Sequence, residues 1–124
     1  MEKFEPITNL IIGHAIEVHR VLGPGLLEKT YQECLAYELR KANLEVKKEV
    51  PLPVIYKSVN LDCGYRIDLL VNDFVIIEVK SVEKLIPVHS AQLLTYMKLS
   101  HVKIGLLINF NQIILKDGLK RFVL

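Results

Sequence analysis

The amino-acid sequence predicts a mixed α/β domain: helix, helix, three strands, helix, then two or three strands, or α-β-β-β-α-β in condensed order, with a mixed central sheet flanked by helices. Three observations predict it. Apolar residues recur at three- and four-residue steps over the first third of the chain. The spacing shifts to every second residue from Glu45. A later helical stretch, opened by Pro87, separates two groups of strands.

Ile7, Leu10, Ile11, Ala15, Val18, Val21 and Leu22 form one apolar stripe, the signature of a helix with a buried side. Gly23-Pro24-Gly25 ends it, because proline lacks a backbone donor and glycine loosens the chain. Leu27, Tyr31, Cys34, Leu35, Leu39 and Ala42 make a second stripe. Val46, Val50, Val54 and Tyr56 then suggest an extended segment, which Pro51 and Pro53 restrict to a sheet edge or a bulge. Val59 to Val71 and Phe74 to Val82 read as two strands joined at Asn72-Asp73. Pro87 to about Leu99 reads as a helix, with proline suited to its first turn. Val102 to Asn109 and Gln112 to Lys116 read as strands, and Arg121 to Leu124 as a last short one.

With 124 residues the chain is expected to form one domain, residues 1–124, able to bury a core without covalent staples. A net charge of +2 neither demands nor excludes a nucleic-acid partner, and any such contact must rely on a local patch. Cys34 and Cys63 have no metal-ligand spacing and read as buried or half-buried thiols of a reducing compartment. No apolar run approaches a membrane span, and Met1 to Pro6 shows no signal-peptide pattern, so the expected location is cytoplasmic with no membrane partner. The high apolar fraction on a small chain suggests a buried interface such as that of a homodimer.

The chemistry sits around the Asn72-Asp73 turn. Odd positions there (Ile67, Leu69, Val71, Val75, Ile77, Val79) are all apolar, whereas even positions include Arg66, Asp68, Glu78 and Lys80. One face is core and the other bears ionisable groups. A two-residue turn would pair odd positions with even ones. A three-residue loop or a bulge restores the match and sets Asp68 opposite Glu78. Like charges placed so cost stability unless something compensates. A divalent cation does so, since Mg²⁺ takes one or two carboxylates with waters and a phosphate oxygen, and a lysine on the same face adds charge for the phosphate. The plainer alternative, a solvated hairpin face, fits poorly with Val75-Ile76-Ile77-Glu78-Val79-Lys80, whose near-continuous apolar run implies burial on both sides.

Asp68 followed by Glu78-Val79-Lys80 resembles the signature of the PD-(D/E)XK nuclease superfamily. Gly25-Leu26-Leu27-Glu28-Lys29-Thr30-Tyr31 is similar to the motif of the GxxExxY protein family, as are His19 to Gly25, Ile86 to His89 with Gln92 and Tyr96, and Gly105 to Phe110. The resemblance runs from about Ile7 to Leu124. It implies a restriction-endonuclease-like core and a metal-dependent nuclease using Mg²⁺ or Mn²⁺ on DNA or RNA. It implies Asp68, Glu78, Glu28 and the Val79 carbonyl as metal ligands. Lys80 and Gln92 join Asp68, Glu78 and Glu28 as catalytic residues. Ile67 stands where the superfamily's name has proline.

His19, Tyr31 and Tyr96 are candidate substrate contacts. Glu28 with Tyr31, and Gln92 with Tyr96, share helix faces by spacing. His19 and His89 read more readily as hydrogen-bonding residues of the scaffold than as catalytic ones. A catalytically silent module that binds nucleic acid or a protein partner is the rival function.

Overall fold

The computed structural model describes residues 5–124; the sequence reading of Met1 to Phe4 lies outside them. Helix α1 spans Glu5–Leu22 and α2 spans Glu28–Lys41. Strands β1 (Val46–Pro51), β2 (Val54–Tyr56), β3 (Val59–Leu61), β4 (Arg66–Val71) and β5 (Val75–Lys80) follow. Helix α3 (Pro87–Ser100) leads to β6 (Ile104–Asn109) and then β7 (Leu119–Val123).

The sheet has the order β1-β4-β5-β6-β7. Strands β5 and β6 are parallel, because α3 carries the chain back over the sheet between them, and the other neighbours are antiparallel. Strands β2 and β3 form a separate small hairpin. The sheet is covered on both faces. On one side Ile11, Ala15 and Val18 of α1 and Tyr31, Leu35 and Leu39 of α2 pack on Leu69, Val71, Ile77 and Val79. On the other, Leu93, Tyr96 and Met97 of α3 pack on Ile76 and Leu107. Each fully buried Leu or Ile contributes roughly 1.5–3 kcal/mol to this assembly. Gly105 lets α3 lie close: a Cβ there would stand 2.6 Å from Met97 Sδ.

The hairpin register agrees with the parity argument. Val71 pairs with Val75, Leu70 with Ile76 and Leu69 with Ile77, leaving a three-residue loop, Asn72-Asp73-Phe74. Asn72 and Asp73 both take positive φ, which their short polar side chains tolerate.

Four expectations need correction. Val59 to Val71 is not one strand: Asp62 to Tyr65 break it, with Gly64 at φ +83° and its N–H donating to Asp62 Oδ1. Gln112 to Lys116 is not a strand: Leu115–Gly118 is a single 3₁₀ turn that drives Leu115 into the core and leaves Ile113 and Ile114 exposed. Cys63 lies exposed in the Asp62–Tyr65 break, while Cys34 is half-buried, and both are free thiols.

The fourth concerns Ile67. It packs with Leu52 and Tyr96 on the α3 side, whereas the other odd residues of its hairpin face α1 and α2. The reversal occurs where β1 lies beside β4. Lys48 pairs with Leu69 and Val50 with Ile67, but the intervening pair, Glu49 and Asp68, is skipped. Glu49 adopts φ +52°, a left-handed conformation that costs about 1 kcal/mol or more for a residue with a side chain. Beyond it both strands present their side chains to the opposite face, so Val46 sits in one core and Val50 against the other.

Candidate active site

That reversal opens the sheet beside Asp68. The β4–β5 ladder stops at Leu69–Ile77, and side chains complete the hydrogen bonding beyond it. The Asp68 N–H donates to Glu78 Oε2 at 2.9 Å, and the Val79 N–H donates to Asp68 Oδ2 at 2.8 Å. Each acid thus reaches across to the other strand's backbone. Glu78 is only 4% exposed and Asp68 is half-buried, so the pair runs from the sheet's interior to its surface.

Burial dominates the electrostatics. It pushes the Asp68 carboxyl up to about 6; the Val79 N–H and Lys80 work against this, while Glu49 and Glu28 reinforce it. Burial and then the Asp68 charge push Glu78 up to about 8, opposed by the Asp68 N–H and Lys80. Two carboxyl groups that resist ionising together make a place where added positive charge is strongly favoured.

Lys80 follows Glu78 on the side of the sheet that α3 covers. Its Nζ donates to Gln92 Oε1 at 3.2 Å, and Gln92 Nε2 donates to the Tyr96 hydroxyl at 3.2 Å. Gln92 and Tyr96 stand one helical turn apart on α3, which explains how one face serves both. Burial pushes the Tyr96 hydroxyl above the ordinary tyrosine value, and the nearby Glu78, Tyr65 and Asp68 add to the effect, so it stays neutral. Asp68, Glu78, Lys80, Gln92 and Tyr96 are therefore brought together.

Glu28 stands apart from that group. It is exposed in the first turn of α2, within electrostatic reach of Asp68 and Glu78. Among the described residues no three His, Cys, Asp or Glu side chains form a ready metal cage. The loop before α2 is nonetheless tied to the site, since Ser81 Oγ donates to the Leu26 carbonyl at 2.6 Å.

Of the two further candidate contacts on α1 and α2, Tyr31 is too deeply buried to meet a substrate, and His19 is half-buried. Tyr31 is fully buried and its ring stacks on Phe110 at 4.6 Å. Its hydroxyl donates to the Gly23 carbonyl at 2.6 Å and accepts from the Leu26 N–H at 3.1 Å, clamping the Gly-Pro-Gly turn. Gly25, at φ +98°, gives that turn its shape. His19 Nε2 donates to the Gln112 carbonyl at 2.6 Å. His89 Nδ1 accepts from the Ile86 N–H and so caps α3.

Two residues of the site were not legible in the sequence. Glu49 lies beside Asp68, held by Gln32 Nε2 at 3.0 Å and Lys29 Nζ at 3.4 Å. Asn109, fully buried, accepts from the Val82 N–H and donates to its carbonyl, fixing the chain just after Lys80 and Ser81. Only a buried position for an asparagine, unforeseeable from local pattern, would have revealed its role.

A sheet split at paired acids, with a lysine two residues on, defines a nuclease-fold protein. Residues 5–122 match the PD-(D/E)XK nuclease superfamily, and the chain belongs to it, with a restriction-endonuclease-like fold. No curated protein and no solved structure matches the chain. No helix among the described residues is long and apolar enough to cross a membrane.

Proposed function

We propose that this protein is a Mg²⁺- or Mn²⁺-dependent nuclease of the GxxExxY family that hydrolyses phosphodiester bonds in DNA or RNA. The observation that carries the reading is the buried pair of facing carboxyls, Asp68 and Glu78, with Lys80 and Gln92 on the same face.

The donor set fits the ion. Carboxylate oxygens are hard ligands, and Mg²⁺ needs few of them because it keeps several waters. A residue's N–H and C=O point the same way from an extended strand. The Val79 N–H faces Asp68, so its carbonyl is directed toward β4 as well and would join Asp68 and Glu78 around the ion. Glu28 would hold an outer water from the start of α2. When bound, the cation would supply charge to the phosphoryl oxygen and acidify a water.

The chain's own groups do the rest. Lys80 donates one N–H to Gln92 and keeps two further donors for the scissile phosphate. Gln92 holds the ammonium in place, and Tyr96 in turn holds Gln92. The apolar walls around Ile76 and Leu107 limit water and strengthen each charge interaction.

The test incubates the full chain with labelled single- and double-stranded DNA and RNA in Mg²⁺ or Mn²⁺, beside Glu78→Ala and Lys80→Ala. Cleavage by the parent and its loss in both variants is the expected result. Cleavage that survives both substitutions refutes the assignment. Binding without cleavage under every condition indicates a silent nuclease-fold module.

A further inference from the structure

An open groove of about 510 Å³ runs from the candidate active site along α3. Its floor is one stripe of that helix, with Ala91, Gln92, Thr95 and Tyr96 along it; Val54 and Tyr65 form the opposite wall. Gln92 and Tyr96 belong to both the groove and the Lys80 site, so the two are continuous. We propose that this groove receives an unstacked nucleobase next to the cleaved phosphate. On this view the preferred substrate is single-stranded nucleic acid, including loops and frayed ends. The proposal rests on the phosphodiester reading and deepens it.

Three features favour that occupant. No charged side chain lines the groove, which suits a flat, neutral group and not a phosphate or a charged peptide. Small residues, Ala91 and Thr95, leave width between the larger ones, and the exposed Thr95 offers a hydroxyl for a base edge.

Tyr65 is the third feature. It is 46% exposed. Its backbone is anchored, the carbonyl accepting from the Leu52 N–H at 3.0 Å and from Arg66 Nη1 at 2.8 Å, and its ring meets Tyr96 edge-on at 6.0 Å. An exposed aromatic ring on an anchored segment is a stacking platform, and stacking on such rings tolerates any base. It stands three residues before Asp68, on the chain that enters the site. In a duplex both faces of each base are covered by neighbours, so only an unpaired base can reach this ring.

The experiment measures binding by fluorescence anisotropy, with the full chain carrying Glu78→Gln so that binding is read apart from hydrolysis. The probes are short labelled oligothymidine, oligouridine and a blunt DNA duplex. Tyr65→Ala should weaken binding of the single strands about tenfold, in line with the energy of one stacked base. Tyr65→Trp should keep it within about twofold. Ala91→Trp, which fills the groove from an exposed helix position, should weaken it as Tyr65→Ala does. Duplex binding should change in none of them.

Equal affinity of the parent, Tyr65→Ala and Ala91→Trp for single strands overturns the proposal. So does an equal loss on single strand and duplex, or no single-strand binding at all. Should the unsubstituted chain cleave nothing while the groove variants discriminate as expected, the base site stands and the nuclease reading falls. Cleavage that is indifferent to Tyr65 and Ala91 has the reverse meaning.

Discussion

Glu78→Gln removes one of the two crowded carboxyls and keeps its shape, including an oxygen to accept the Asp68 N–H. In the native chain Glu78 holds its proton up to about pH 8, whereas an ordinary glutamate releases it near 4.5. Below 4.5 both folded and unfolded chains are protonated, and the fold has its full stability with respect to this group. As pH rises from 4.5 toward 8, the unfolded chain gains charge freely while the folded chain resists, so stability falls. At roughly 1.4 kcal/mol per unit the loss approaches about 4 kcal/mol, most of it between pH 5 and pH 8. Glutamine does not titrate, and its own burial cost is the same at every pH, so Glu78→Gln should gain about 3 kcal/mol on the parent between pH 5 and pH 8. For a chain this size that corresponds to about 10 °C in Tm. Thermal unfolding of both proteins at pH 5, 6.5 and 8 without metal reads it directly. A Tm difference that does not change with pH refutes the argument that burial and the Asp68 charge oppose ionisation of Glu78.

Further consequences follow from the same geometry. Mg²⁺ should raise the parent's Tm, and more at pH 8 than at pH 6, because the ion binds the ionised acids that the fold resists; calorimetry on Asp68→Asn with Glu78→Gln should show no such rise. Tyr31→Phe keeps the stack on Phe110 but strips the clamp on Gly23 and Leu26, and should cost about 1–3 kcal/mol in denaturant unfolding. Asn109→Ala should cost about 1–3 kcal/mol, since it leaves the Val82 N–H without its partner and the Val82 carbonyl with only the Asn111 amide at 3.3 Å, and it should lower cleavage by loosening the chain after Lys80. Gly118→Ala would set a Cβ 2.6 Å from the rigid Asn109 carbonyl and should destabilise by about 1–3 kcal/mol, read as a lowered Tm.

Much of the site was legible because it lies within one hairpin. Alternation on Leu69, Val71, Val75, Ile77 and Val79 requires a three-residue loop, and that loop brings Asp68 and Glu78 to the end of the ladder, where each acid bonds the other strand's backbone. The spacing of Gln92 and Tyr96 placed them on one helix face, though not over Lys80. Helices α1, α2 and α3 were readable from apolar spacing and from Gly23-Pro24-Gly25 and Pro87. Glu49 was not, because β1 meets β4 across the long, irregular stretch from Leu52 to Tyr65, and no short turn sets that pairing. Tyr31 was misplaced for a related reason: an aromatic beside an acid on a helix looks the same whether its hydroxyl meets substrate or closes a turn eight residues away.

By itself the sequence determined what depends on near neighbours: the periods of the helices and strands, the hairpin register, and the pairing of two acids with a lysine on one surface. Packing decided the rest. The face reversal at Glu49, the burial that lifts Asp68 and Glu78, the docking of Gln92 onto Lys80, and the 3₁₀ turn at Leu115 all come from contacts between segments far apart in the chain. Such contacts are selected by how well whole layers fit together, and local side-chain pattern carries no record of that fit.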